Sequence, residues 1–83
     1  MSQYSKSFIL TQVFGDTGYS HYKVLLTSPR NSSRWMVIYS SRIGASEGDE
    51  VIVDFDYVTD RWMNINNPQT GQWASIYEVS QVK

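Results

Sequence analysis

Apolar and polar residues alternate with a period of two along most of the chain. The clearest run is Val51-Ile52-Val53-Asp54-Phe55-Asp56-Tyr57. Val51, Val53, Phe55 and Tyr57 share one face and Asp54 and Asp56 the other, which predicts a half-buried strand. Arg34-Trp35-Met36-Val37-Ile38-Tyr39 is β-branched and aromatic with apolar residues on both faces, as a central strand requires. Tyr22–Thr27 reads as a strand ended by Ser28-Pro29. Phe8–Phe14 reads as another, ended by Gly15-Asp16-Thr17-Gly18. Arg61–Asn66 is a shorter strand closed by Asn67-Pro68, and Trp73–Val79 is the last. No window carries apolar residues at i, i+3, i+4 and i+7, so no long helix is expected; at most one turn fits between Arg42 and Gly48.

Six short strands in 83 residues are too few to fill two stacked sheets. One coiled sheet closed on itself lets a single core serve every strand and removes exposed edges. The reading is therefore all-β: a single small barrel of five to six strands spanning residues 1–83. The expected core is Phe8, Leu10, Val24, Leu26, Trp35, Val37, Val51, Val53, Phe55 and Ile76, with Tyr77 or Val79. Trp35 is assigned to it because large aromatics dominate small cores.

The Gly48-Asp49-Glu50-Val51-Ile52-Val53 segment resembles the Gly-Asp-x-Val-x-Val opening of the fourth strand in oligonucleotide-binding folds (OB-folds). The three strands before it resemble the same family, while the Ile43-Gly44-Ala45-Ser46-Glu47 connector departs from it in being short where that family often has a helix. A second resemblance runs through Gly48-Asp49, Trp62, Thr70-Gly71-x-Trp73 and Tyr77, which look like the second half of a bacterial SH3-like barrel. There Trp73 departs from the pattern by one residue, and residues 1–42 do not resemble that family's opening. The OB-like barrel is preferred and the SH3-like barrel is the alternative. Both folds host many functions, so the function has to come from the site.

Composition narrows the chemistry. There is no cysteine, hence no disulfide framework and no thiolate metal or redox site. No apolar run approaches the roughly 18 residues of a membrane span. The opening Met-Ser-Gln-Tyr-Ser-Lys does not look like a secretory leader, so a cytoplasmic location without membrane association is expected.

The formal net charge of −1 hides a partition. Residues 1–42 carry Lys6, Lys23, Arg30, Arg34 and Arg42 against Asp16 alone. Residues 43–83 carry Arg61 and Lys83 against Glu47, Asp49, Glu50, Asp54, Asp56, Asp60 and Glu78. Such asymmetry points to a charged partner. The basic segment also holds aromatics, and single-stranded nucleic acid is bound by cations along the phosphates and aromatic faces under the bases. The second and third strands form that surface in OB-folds. The candidate nucleic-acid-binding residues are accordingly Tyr19, Tyr22, Lys23, Arg30, Arg34 and Arg42, with Arg30 and Arg34 flanking an Asn31-Ser32-Ser33 turn whose amides could meet phosphates. The acidic stretch from Glu47 to Asp60 reads first as a solvated strand face. It also suits a basic protein partner, or the basic half of a second copy in a homodimer.

Catalytic chemistry is not evident. His21 is the one histidine, no serine sits in Gly-x-Ser-x-Gly, and Asp54-x-Asp56-x-x-x-Asp60 lacks the glycine turn and terminal Glu of a calcium loop. The expectation is a non-enzymatic binding module without cofactor or metal, taking single-stranded nucleic acid through residues 19–42. The alternative is a protein-binding adaptor or inhibitor, of the kind supplied by a phage or mobile element.

Overall fold

The computed structural model describes residues 3–16 and 21–82. They form six strands and no helix: β1 (Gln3–Asp16), β2 (Tyr22–Thr27), β3 (Arg34–Tyr39), β4 (Glu50–Asp56), β5 (Trp62–Asn67) and β6 (Gln72–Val82). Every pairing is antiparallel, and the order β1-β2-β3-β6-β5-β4 closes into a barrel with β4 against β1. β1 serves two neighbours in turn. Its first half, Gln3 to Ile9, pairs with β4, and its second half, from Ile9 on, pairs with β2. At the switch, Leu10 N–H donates to the Asp49 carbonyl and Gly48 N–H to the Leu10 carbonyl, each at 2.8 Å.

The core is the inward phase of these strands: Phe8, Leu10, Val24, Leu26, Val37, Tyr39, Val51, Val53, Phe55, Ile65, Ala74 and Ile76, together with Ile43 from the connector. Register shifts in β1, β5 and β6 reset that phase. In β1 the register with β2 slips between Leu10 and Gln12. Thr11 and Gln12 therefore both face out and Val13 returns to the core side. In β6 the extra residue is Tyr77, between Ile76 and Glu78, and it is turned outward, 60 % exposed, while Val79 packs on the core. In β5 the extra residue is Met63, which leaves Trp62 opposite Phe55.

One core expectation and one strand-face expectation are corrected. Trp35 is half-buried and packs at the edge of the core, not within it. Tyr57 does not continue the inward phase of β4 and is 68 % exposed. The Asp56 carboxylate accepts from Val58 N–H at 2.8 Å and Thr59 N–H at 3.3 Å. That turn ends the strand before Tyr57. The connector after β3 holds no helical turn either; it runs irregularly across one end of the barrel.

The two ends differ. At the connector end Ile43 fills the opening, 1 % exposed, and its carbonyl accepts from Asn67 Nδ2 at 3.0 Å and Thr70 Oγ1 at 2.8 Å. The opposite end, where β1 and β5 begin and β2 and β4 finish, is open.

Candidate functional site

The open end is a cavity of about 350 Å³. Its lining is Tyr4, Lys6 and Phe8 from β1, Ser28, Arg30, Asn31 and Ser33 from the β2–β3 turn, Trp35 from β3, Phe55 from β4, Asp60 from the β4–β5 turn and Trp62 from β5. The period of two explains the β1 contribution. Tyr4 and Lys6 share the phase of buried Phe8, but they lie beyond the end of β2, where the inward side opens to solvent.

Five aromatic rings pack one on another. Tyr4 stacks on Phe55 with centroids 5.1 Å apart, and Phe55 meets Trp62 edge-on at 4.9 Å. Trp62 also touches Phe8 at 5.2 Å and Trp35 at 5.1 Å. Two cations lie on this cluster. Lys6 Nζ is 5.5 Å from the Phe55 ring centre and 5.6 Å from that of Tyr4, and the Arg30 guanidinium is 5.7 Å from that of Phe8. Arg30 Nη1 also donates to the Ser7 carbonyl at 3.3 Å, which fixes the guanidinium at the rim.

At the rim between β1 and the β4–β5 turn, Tyr4 OH donates to Asp60 Oδ1 at 2.5 Å. The hydrogen bond to Asp60 raises the Tyr4 pKa above its ordinary value, with burial and the carboxylate charge adding to it. Asp60 has φ of 57°, a left-handed conformation that Asp tolerates better than most residues, and its N–H closes the turn on the Asp56 carbonyl at 2.8 Å.

The six residues singled out in the sequence do not share one surface. Arg30 lines the open mouth, and Arg34 is exposed at the same end, where it pairs with Thr27. Tyr22 and Arg42 are at the plugged end, the length of β2 away, or roughly 17 Å at about 3.4 Å per residue. There Tyr22 stacks on Tyr39 at 5.9 Å and carries the Arg42 guanidinium at 5.9 Å. Lys23 is on the outer wall, its ammonium 5.4 Å from the Phe14 ring centre. Tyr19 lies outside the described residues.

The turn between Arg30 and Arg34 is also more closed than expected. Ser28 N–H donates to the Ser33 carbonyl and Ser32 N–H to the Ser28 carbonyl. Arg30 N–H donates to Ser28 Oγ and Ser33 N–H to Asn31 Oδ1. Four amides are thus used within the turn, so an anion there would meet side chains.

The sequence reading missed Lys6, Tyr4, Phe55, Trp62 and Asp60 as neighbours. Extending the alternation of Phe8 and Leu10 backwards would have put Tyr4 and Lys6 on the inward face. Trp62 carries no such signal, because the extra residue Met63 decides which way it points.

On the acidic side, Asp54 is tied into the β1–β4–β5 wall, accepting from Ser5 Oγ at 2.7 Å and Asn66 Nδ2 at 2.9 Å. His21 lies against Tyr77, ring centroids 4.4 Å apart. Among the described residues no group of three or more His, Cys, Asp or Glu could hold a metal ion, and no helix is long and apolar enough to cross a membrane. Compared with models of protein families, curated proteins and solved structures, the chain matches none of them. The arrangement at the mouth is suited to a flat, unsaturated group that carries or adjoins negative charge.

Proposed function

We propose that this protein is a non-catalytic binding module that holds single-stranded nucleic acid at the open mouth of its barrel. A base lies against Trp35, Trp62 and Tyr4, and neighbouring phosphates are met by Lys6, Arg30 and Arg34. The observation that carries this reading is one cavity in which a cluster of five aromatic rings carries two cations. Stacking on an aromatic side chain contributes roughly 1–3 kcal/mol per base and tolerates every base, while cations beside the rings supply the phosphate contacts. The cavity is at the small end of ligand sites, which run from about 300 to 1,000 Å³, so it suits one base and not an extended tract.

The OB-like assignment belongs to this proposal, with the SH3-like barrel as its alternative. What speaks for it is three strands and then a turn at Gly48 (φ 93°) opening β4; the connector between them departs from that family in being short and without a helix. A cytoplasmic location is part of the same reading.

A second reading is favoured by the outer face of β6, where Trp73 is 59 % and Tyr77 is 60 % exposed. A protein partner docking there would leave the mouth free.

The test is a titration of a labelled mixed-sequence single strand, followed by fluorescence anisotropy over a series of salt concentrations. Three phosphate contacts predict a log–log salt slope near −2, at about 0.7 per contact. No binding at low salt overturns the reading.

A further inference from the structure

We propose that the mouth prefers guanine and that Asp60 is the residue that reads it. This rests on the nucleic-acid reading above and assigns the base that the cavity takes.

Charge across the opening is arranged in two parts. Arg30, over the Phe8 ring, comes from the β2–β3 side, and Asp60 comes from the β4–β5 side, joined to the rim by its bond from Tyr4, whose ring also carries the Lys6 ammonium. Among the described residues Asp60 is the one acid that lines the cavity. A base lying on the aromatic cluster therefore presents an edge to a carboxylate, while the cations meet the phosphates beside it.

Guanine is the base whose edge matches. Its N1–H and N2–H₂ are adjacent donors, and a carboxylate accepts both at once. Adenine and cytosine offer only an exocyclic amino group as donor, and thymine or uracil offers one ring N–H. A carboxylate has about four lone-pair sites. The Tyr4 bond uses one of them, so about three remain, enough for the two donors of a guanine edge. Tyr4 is a positioning residue in this scheme, because it holds the Asp60 side chain at the rim.

The experiment uses short thymidine strands carrying guanine, adenine, cytosine or thymine at one central position, titrated against the full chain. The wild type is expected to bind the guanine strand about tenfold more tightly than the others, within the range for a paired base contact. Asp60→Asn is expected to lose most of that preference while still binding the all-thymidine strand. Asn tolerates the left-handed φ of this position. Asp60→Gly, which suits it better still, is the second variant if the first melts early. Equal binding of all four strands by the wild type overturns the preference and leaves the nucleic-acid reading standing. A preference that survives in both variants overturns the role of Asp60. Failure to bind any strand overturns both readings together.

Discussion

Asn67 Nδ2 donates to the carbonyl of Ile43 at 3.0 Å, and both residues are 1 % exposed. This contact joins the end of β5 to the connector that crosses the barrel, and it leaves the molecule one shut end and one open end. Ile43 has no strand to hold it. Its place depends on its own burial and on the bonds to its carbonyl from Asn67 and Thr70.

Ile43→Ala should therefore cost about 2–5 kcal/mol, the usual range for truncating a buried aliphatic side chain. Asn67→Ala should cost less, near the low end of the ~1–3 kcal/mol for an orphaned buried acceptor. Thr70 Oγ1 still serves the same carbonyl at 2.8 Å. Urea unfolding measures both, and equal costs for the two variants would contradict this ordering.

Gly44 and Gly71 both have positive φ, 68° and 75°. A Cβ at Gly71 meets nothing within 4 Å, whereas at Gly44 it would lie 2.8 Å from Thr70 Cγ2 and 3.2 Å from Gln72 Oε1. Gly71→Ala should cost only the left-handed penalty of about 1–2 kcal/mol. Gly44→Ala should add a further ~1–3 kcal/mol of overpacking. Melting curves showing the two variants equal would place the connector farther from the β5–β6 turn.

Tyr39 has its pKa pushed up from 10.0 to about 12, first by burial and then by the neighbouring Tyr22 hydroxyl. The unfolded chain loses this proton first as pH rises, so between those two values unfolding releases a proton and becomes easier with pH. The contribution of Tyr39 to stability is thus fully present below pH 10 and is lost as pH rises through about 12. Tyr39→Phe should melt with a shallower alkaline decline than the parent. Parallel declines in the two proteins would show that Tyr39 titrates alike folded and unfolded.

The distance between the two ends makes a prediction about the arginines. Arg30→Ala combined with Arg34→Ala should flatten the salt slope by about 1.4, or two single-strand contacts, and weaken binding to all strands. Arg42→Ala and Tyr22→Ala, at the plugged end, should leave affinity within about twofold of the parent, since they touch no phosphate or base in this scheme. Weakening by Arg42→Ala equal to that of the double variant would contradict the placement.

The strands were legible in the sequence because their signal is local. Alternation at Val51, Val53 and Phe55 and the turn residues Ser28-Pro29 and Asn67-Pro68 act within a few positions. Closure into one barrel followed from the number of strands and the chain length. Three features were not legible, for physical reasons. Tyr77 and Met63 are extra residues in their ladders, and an extra residue reverses the facing of its neighbours without changing composition. Ile43 is buried from a loop, where no periodicity marks it. The candidate site failed as a single surface because charge was counted along the chain, whereas antiparallel strands send residues a few positions apart, such as Arg30 and Tyr22, to opposite ends. Lys6 and Asp60, distant in sequence, meet at one mouth.

The three tryptophans offer the most direct test of the mouth as the binding site. Trp35 and Trp62 line it, with ring centroids 5.1 Å apart, while Trp73 lies outside on β6. Their indole N–H signals can be followed by proton–nitrogen correlation NMR while a mixed-sequence single strand is added at low salt. The account predicts that the Trp35 and Trp62 signals move together and saturate, and that the Trp73 signal stays in place. Movement of Trp73 alone, or of none of the three, would contradict it.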